Sequence, residues 1–201
     1  RKYGCDSLRM YELFVGPPEV DSEWDDSGID GVFRYLNKVW KLVYNYKDKP
    51  VSATKESEYL RNQLIKDITT RLNALTMNTV VSGFMEHTGS LIELANQQDG
   101  IDPACIDTLL VLLAPFTPHI AEELWREMGY EDTAFAAGWP EWDESKLVKD
   151  EVVLPLQING KARGNITISK AATKEEVLAM AKETLGSRLE DKTIVKEIYV
   201  P

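Results

Sequence analysis

Residues 102–129, DPACIDTLLVLLAPFTPHIAEELWREMG, decide the fold of this 201-residue chain. Asp102 stands before a proline and marks a helix start, because its carboxylate can cap free amide groups and proline fits the first helical position. Six apolar residues between 106 and 113 cover every side of that helix, which predicts burial at the centre of a bundle. Thr117 before a second proline repeats the start signal, and Gly129 stands where a glycine commonly ends a helix.

Helical periodicity also fills the sequence upstream of this stretch. Ser27 and Asp30 resemble a capping box, with aspartate in place of the usual Glu or Gln, and open an amphipathic helix. A polar segment at 47–56 interrupts the pattern with a proline. Residues 57–97 resume it, either as one kinked helix or as two, because two glycines within the segment permit both. Short connections between at least four such helices predict an antiparallel bundle over residues 27–142.

After residue 142 the hydrophobic period changes from 3.6 to 2, which predicts β-strands. The alternating segment 152–158 leads into Asn159-Gly160, a hairpin signal. A two-residue loop would place Leu156 opposite Arg163, whereas a three-residue loop that includes Lys161 keeps one face apolar, so we predict the longer loop. The predicted pairs are Ile158 with Ala162, Leu156 with Gly164 and Leu154 with Ile166.

The predicted register places four polar residues on the outward face of the hairpin, with Lys161 at its tip. These four are Gln157, Arg163, Asn165 and Thr167. Glycines beside Lys161 and Arg163 allow the backbone of a partner to approach closely. We therefore regard Lys161 and Arg163 as candidate binding residues, with Gln157 and Asn165 as hydrogen-bonding neighbours.

The end of the sequence completes a small second domain. Thr173 and Glu176 form a capping box for a helix that ends near Gly186, and apolar residues at 194–200 indicate a last strand. These elements predict an α+β domain of β-β-α-β order over 152–201. A polar linker at 143–151 precedes it, and the fold class of the whole chain is mainly α.

The charge of the chain is unevenly distributed. Its net charge is −10, yet residues 146–201 carry 10 basic against 8 acidic side chains, while residues 1–145 carry 13 against 25. Long-range repulsion of phosphate excludes a grip on nucleic acid by the whole surface and leaves a local basic patch open. Arg34, Lys38 and Lys41 recur at helical spacing, either as a phosphate-tracking stripe or as the solvated face of an amphipathic helix.

Several other classes of site are excluded. No apolar run approaches the roughly 18 residues that span a bilayer. Cys5 and Cys105 lie far apart, which argues against a disulfide framework and a cysteine zinc site. His87 has no acidic or cysteine partner at metal spacing, and His119 follows a proline at a helix start, where a structural role is expected. The acidic cluster at 21–30 lacks the order of a calcium loop. No phosphate-binding glycine loop is present either, so the sequence predicts no catalytic residue and no metal ligand.

Four segments in the same order resemble class I aminoacyl-tRNA synthetases. YGCDSLR at 3–9 is similar to the stretch shortly after the KMSKS loop of these enzymes. GVFRYLNKVW at 31–40 and LAPFTPHIAEELW at 113–125 resemble the anticodon-binding helical domain of the leucyl, isoleucyl and valyl group. QINGKARG at 157–164 resembles the C-terminal domain of the bacterial leucyl branch, so the resemblance extends over essentially the whole chain.

The resemblance implies a region that binds and positions tRNA. The helical bundle would support the inner corner and anticodon-stem side of the tRNA, and the tail domain would touch the outer elbow. Recognition of shape and backbone suits single basic residues on an acidic body. The expected RNA-contact residues are Lys161, Arg163, Gln157, Asn165, Arg34, Lys38 and Lys41.

The resemblance also implies a larger parent enzyme that attaches leucine to its tRNA with ATP and Mg²⁺. The HIGH and KMSKS motifs of such enzymes are not in this sequence, which begins at Arg1 without a methionine. We therefore expect the chain by itself to be inactive and to hold no cofactor, with residues 1–26 as the connector from a catalytic domain upstream. The expected partners are leucine tRNA and that catalytic domain, in a monomeric cytoplasmic protein without a membrane segment.

Two alternatives remain open from the sequence. The same region of a valyl or isoleucyl enzyme is one, although the charged coiled-coil arm and the Cys-rich zinc tail expected of those enzymes are not in this sequence. The other is a helical protein-interaction module that derives from a synthetase. Exposed apolar area clustered at residues 1–25 would favour the synthetase reading, because that segment would otherwise face the catalytic domain.

Overall fold

The computed structural model describes residues 2–17, 21, 23–147, 151–158, 161–169 and 173–186. The chain divides into two compact units, Arg1–Leu147 and Val148–Pro201. The first unit is helical, and the second consists of a hairpin and one helix in its described part. No helix in the described ranges is long and apolar enough to cross a membrane.

Six helices build the described part of the first unit, in the bundle that the periodicity predicts. They are α1 (Gly4–Phe14), α2 (Asp26–Tyr46), α3 (Lys55–Asn73), α4 (Met77–Gln98), α5 (Pro103–Leu113) and α6 (Pro118–Glu127). Short 3₁₀ turns follow at Ala134–Ala137 and Glu144–Leu147. Helix α1 falls within the predicted connector, yet it is part of this unit, with Met10 and Tyr11 buried in the core.

Helix α5 confirms the prediction of a central buried helix. Asp102 caps it, and its carboxylate accepts a hydrogen bond from the Ala104 amide at 3.0 Å. Ile106, Leu109 and Leu110 are fully buried, as are most residues of this helix. Burial on several faces explains why α5 has no polar stripe along its length.

Two predictions about helix boundaries are resolved in the middle of the bundle. Residues 57–97 are two helices, because the chain turns between α3 and α4 with Leu75 in the left-handed region at φ +56°. The predicted capping box at Ser27 and Asp30 is wrong. Asp25 caps α2 instead, because its backbone is extended there and its carboxylate accepts a hydrogen bond from the Ser27 amide at 2.9 Å.

The second unit contains β1 (Glu151–Ile158), β2 (Lys161–Ser169) and α7 (Lys174–Leu185), with α7 packed on β2. The two strands are antiparallel. The capping box of Thr173 and Glu176 is confirmed, and α7 ends before Gly186 as predicted. A small core unites the three elements through Leu156, Ile166, Ile168, Val177 and Leu185. The predicted strand at 194–200 lies outside the described residues.

The register of the hairpin is partly as predicted. Leu156 pairs with Gly164 and Leu154 with Ile166, which keeps the apolar residues on one face. The predicted pair of Ile158 with Ala162 is wrong, because Ile158 pairs with Lys161 across a two-residue connection. A bulge between Leu156 and Gln157 takes up the extra residue, Arg163 on β2, so the strands regain the apolar register without a three-residue loop.

Candidate nucleic-acid interface

A groove of about 680 Å³ runs between α2 and α4 in the first unit. Its rim carries basic and amide side chains, while its floor is mostly apolar. Arg34, Lys38 and Lys41, three of the predicted contact residues, all line it. The structure therefore brings one predicted stripe together with a cavity that the sequence did not indicate.

The sequence of α2 explains why the three cations share this edge. Val32, Val39 and Val43 are fully buried in the core, so the helix is fixed in rotation. Residues 34, 38 and 41 follow one another at spacings of four and three, which places them on one face of the helix. All three side chains are exposed along the groove.

Two hydrogen bonds link the walls of the groove. The Tyr35 hydroxyl lies 3.2 Å from the Thr88 hydroxyl, deep between α2 and α4. Burial raises the pKa of the Tyr35 phenol above its ordinary value, so this group stays neutral and capable of hydrogen bonding at physiological pH. The Tyr46 hydroxyl donates to Asn96 Oδ1 at 2.6 Å at one end of the groove. The spacing between the walls is thus held by specific contacts.

The groove cations differ from other basic residues of the bundle in their partners. Within the part of the chain that the structure describes, Arg34, Lys38 and Lys41 form no ion pair. Four lysines elsewhere in the unit do form one. These pairs are Lys47–Glu127, Lys49–Asp99, Lys66–Glu144 and Lys146–Glu58. An anion that enters the groove does not have to displace a carboxylate of the described bundle from these three cations.

The hairpin of the second unit carries the other predicted contact residues. Gln157, Arg163 and Asn165 are exposed on the hairpin. Arg163 lies in the segment of β2 that bulges between Gly164 and Ala162. Lys161 occupies the first position of β2, and its side chain lies outside the described residues.

The two histidines have structural contacts. The buried carboxylate of Asp6 on α1 accepts a hydrogen bond from the Ile120 amide at 2.7 Å and lies 2.7 Å from His119 Nδ1. It caps α6 in place of Thr117, whose side chain makes no capping bond. His87 Nε2 lies 2.9 Å from a carboxylate oxygen of Asp67. No group of three or more His, Cys, Asp or Glu in the described residues could hold a metal ion.

Asp107 is an unusual carboxylate in the same unit. Its Oδ2 accepts a hydrogen bond from the Tyr130 hydroxyl at 2.7 Å, whereas Oδ1 is buried with no partner among the described residues. Burial, and secondarily the nearby Asp102, raises the pKa of Asp107. Tyr130 stacks on Trp125 with ring centroids 4.1 Å apart, which fixes the segment after α6.

Tryptophans hold the segment after α6 against α3. Trp139 Nε1 donates to the Thr69 hydroxyl at 2.9 Å, and Trp142 Nε1 donates to Glu144 at 2.9 Å. Glu144 in turn pairs with Lys66 on α3. These side chains serve as anchors of a loop, so they do not add to the candidate interface.

In a comparison with protein families, residues 55–178 match the model of the anticodon-binding domain of tRNA ligase. The leucine–tRNA ligase of Rippkaea orientalis is 44% identical over 99% of this chain, and that of Fervidobacterium nodosum is 36% identical over 99%. The chain spans about a quarter of the length of these curated relatives, 25% and 26%.

A solved structure is also similar over the whole chain. It is the agnB2 LeuRS of Agrobacterium radiobacter K84 in a ternary complex with tRNA and LeuAMS. The TM-score is 0.70 at 28% sequence identity, with 100% of this chain and 28% of that chain covered. The similarity therefore includes the second unit as well as the bundle.

Proposed function

Because this chain belongs to the anticodon-binding domain family of tRNA ligases, we propose that it is the tRNA-positioning region of a leucine–tRNA ligase. The observation that carries the proposal is the 44% identity to a leucine–tRNA ligase over 99% of the chain. The similarity to a LeuRS in complex with tRNA supports the same partner. The relatives compared are leucine ligases, which does not favour the valyl or isoleucyl alternative.

The chain would contribute to the reaction by positioning the tRNA. In the whole ligase, which attaches leucine to tRNA with ATP and Mg²⁺, the bundle and the hairpin would hold the body of the tRNA while its end is charged. We propose that ATP and Mg²⁺ act elsewhere in the ligase, as the missing phosphate-binding glycine loop in this sequence predicts. The chain alone is expected to be inactive.

The first 25 residues carry part of the exposed apolar surface of the described chain. Leu8, Val15 and Trp24 are exposed there, with Trp24 packed edge-on against Tyr11. Other large apolar side chains, such as Leu75 and Phe135, are exposed outside this segment, so the expected clustering at residues 1–25 is not established. We propose that the catalytic domain of the ligase covers this surface and that the protein acts as a monomer in the cytoplasm.

Electrostatics determines how tRNA would be held. The chain has a net charge of −10, so attraction to RNA must come from local groups of cations, above all those that have no acidic partner among the described residues. The groove residues Arg34, Lys38 and Lys41 meet that condition in the described structure. The hairpin residues Lys161 and Arg163 would supply a second contact, with Gln157 and Asn165 as hydrogen-bonding neighbours. Contacts of this kind fix the position of the RNA backbone and read no sequence.

The test is direct binding of labelled leucine tRNA to the 201-residue chain over a salt series. The triple variant Arg34→Gln/Lys38→Gln/Lys41→Gln should lower the slope of log K against log salt by about 2, since each phosphate contact contributes roughly 0.7 to 0.9. In the parent, the three contacts would therefore account for an affinity loss of about 20-fold between about 50 and 200 mM salt, and the triple variant would not show this part of the loss. The double variant Lys161→Ala/Arg163→Ala should lower it by about 1 to 2.

Lys49→Gln is the matched control, because Lys49 is exposed but paired with Asp99. It should leave both affinity and slope unchanged. A non-cognate tRNA should bind nearly as well as leucine tRNA if backbone and shape are read. Equal binding of the parent and both multiple variants would contradict the proposed function.

A further inference from the structure

Helix α1 carries two oppositely charged side chains that meet the turn between α5 and α6. Asp6 and Arg9 are three positions apart, which places them on the same face of α1. That face lies against residues 115–120, where α5 has ended and α6 begins. The hydrogen bonds join positions that are 106 to 114 residues apart in the chain, so α1 is attached to the far side of the bundle sequence.

The sign of each charge suits the helix end that it meets. Arg9 donates from Nε to the Phe116 carbonyl at 3.3 Å and from Nη2 to the Pro115 carbonyl at 3.2 Å. These carbonyls follow the C-terminal end of α5, where the helix dipole is negative. The Asp6 carboxylate accepts from the Ile120 amide at 2.7 Å, at the positive N-terminal end of α6. Helix α1 thus holds the turn by the helix ends on both of its sides.

The C-terminal half of α1 is attached to a different helix. Tyr11 is buried, and its hydroxyl donates to the Asp25 carbonyl at 2.7 Å and accepts from the Asp25 amide at 3.1 Å. Asp25 is the N-cap of α2. The Tyr11 ring also fills the space beside Gly28, where an added Cβ would lie 2.5 Å from Cε2. One short helix therefore connects the start of α2 with the start of α6.

Attachment at two points fixes the angle between α1 and the bundle, whereas a helix held at one point can pivot. The angle matters because the bundle is long. Helix α2 has 21 residues and is therefore about 32 Å in length. A tilt of about 4° at its start moves its far end by about 2 Å. A misplacement of about 1 Å at the reacting groups can lower a rate about 100-fold.

We propose that α1 is a brace that fixes the angle between the bundle and the catalytic domain of the ligase, with Arg9 and Tyr11 as positioning residues for the transfer of leucine to tRNA. The inference rests on the proposed function, because it takes the catalytic domain as the neighbour that precedes α1. Both side chains act through the placement of the bound tRNA and touch no reacting atom. The outer side of α1, with Cys5 and Leu8 exposed, is open to that domain.

The test uses the whole ligase and the double variant Arg9→Gln/Tyr11→Phe. These changes remove the guanidinium contacts and the Tyr11 hydroxyl but keep the Tyr11 ring in the core. The kcat for leucylation at saturating tRNA should fall about tenfold or more, because the end of the tRNA is misplaced. The KM for tRNA should stay unchanged, since the surfaces that contact the tRNA are intact. Activation of leucine without tRNA, measured by ATP–pyrophosphate exchange, should also stay unchanged.

Two further variants separate positioning from stability. Ile65→Val removes one methyl group from the core on α3, which makes none of the hydrogen bonds described for α1. It should keep the leucylation rate of the parent, and thermal unfolding of the ligase compares its stability with that of the double variant. Arg9→Lys keeps a positive charge and a donor for the carbonyls of the turn, so it should be faster in leucylation than Arg9→Gln.

Four outcomes would overturn the inference. They are a leucylation rate equal to that of the parent in the double variant, a rise in the KM for tRNA with unchanged kcat, a parallel loss of leucine activation, and an equal loss in Ile65→Val. None of these contradicts the tRNA-positioning role, which depends on the binding of tRNA to the cation variants. If the parent and both multiple cation variants bind tRNA equally, the proposed function fails instead.

Discussion

Two glycines of α4 provide a sharp test of the packing argument. Gly83 and Gly89 lie in the same helix, but their surroundings differ. A Cβ at Gly83 would lie 2.8 Å from Arg71 Nη1 and 3.2 Å from Ile68 Cδ1, whereas one at Gly89 would meet nothing within 4 Å. Substitution of each by alanine therefore makes the same local change with different tertiary consequences.

Arg71 cannot readily move away from an added methyl group at Gly83. Its Nε donates to Asp67 Oδ1 at 2.9 Å, and its Nη1 donates to the Thr79 carbonyl at 2.5 Å. Asp67 also contacts His87, so a shift of Arg71 disturbs a network between α3 and α4. The network makes the overlap costly, although the nearest atom belongs to a long side chain.

The expected free energies follow from two terms. Alanine in place of a helix-interior glycine stabilises by about 1 kcal/mol. Overpacking costs about 1 to 3 kcal/mol. Gly89→Ala should therefore raise the free energy of unfolding by about 1 kcal/mol, while Gly83→Ala should lower it by about 1 kcal/mol. The difference between the two variants, about 2 kcal/mol, isolates the overlap with Arg71.

Urea unfolding followed by tryptophan fluorescence measures this difference for the first structural unit, which contains both glycines. All five tryptophans, Trp24, Trp40, Trp125, Trp139 and Trp142, belong to the first unit. Thermal unfolding gives an independent value, with a change in Tm of about 2 to 4 °C per kcal/mol at this size. Stabilisation of Gly83→Ala to the same degree as Gly89→Ala would refute the claim that Arg71 is fixed. Destabilisation by Gly89→Ala would refute the claim of open space at this position.

Two further substitutions test buried carboxylates by the same assay. Asp6→Asn keeps an acceptor for the Ile120 amide but removes the charge at the start of α6, so we expect a loss of about 1 kcal/mol; an unchanged stability would contradict the capping role. Asp107→Asn should be more stable than the parent at neutral pH, because burial raises the pKa of Asp107 and so disfavours the charged form in the folded state. That cost is fully present above the raised pKa and disappears as the pH falls below the ordinary aspartate value of 3.8, so the advantage should shrink in acid; a pH-independent advantage would reject it.

The helices could be predicted because their signals are local. Asp102 before a proline starts α5, and the capping box of Thr173 and Glu176 starts α7, as the sequence alone indicates. These interactions join residues within three or four positions. The wrong prediction for the N-cap of α2 also concerns neighbouring residues, because Asp25 and Ser27 are both suitable caps and lie two positions apart. The extended backbone of Asp25 makes it the cap.

Contacts between distant residues could not be predicted in the same way. Asp6 caps α6 across 114 positions, and nothing local to either segment indicates it. The bulge between Leu156 and Gln157 is another case, because the sequence shows only that one extra residue must be absorbed and not where. Both features depend on how elements meet, which periodicity does not describe.

The candidate site also has one part that local spacing predicts and another that depends on contacts between distant residues. The spacing of Arg34, Lys38 and Lys41 predicts one basic edge on α2, and the structure has that edge. The facing wall comes from α4, and its rotation depends on contacts such as Tyr35 with Thr88. The groove is therefore a tertiary property, although each residue on its rim is visible in the sequence.

The acidic body of this protein changes how salt dependence should be interpreted. At physiological ionic strength the Debye length is about 8 Å, so most of the carboxylates do not repel an RNA held on the groove rim. At low salt their repulsion grows and opposes the attraction to the cations. The measured slope is then shallower than the slope that the number of phosphate contacts predicts. Counting contacts from the parent slope alone would underestimate them. The difference in slope between the parent and the triple variant at Arg34, Lys38 and Lys41 largely removes the shared repulsion, and it is this difference that reports the contacts made by the groove.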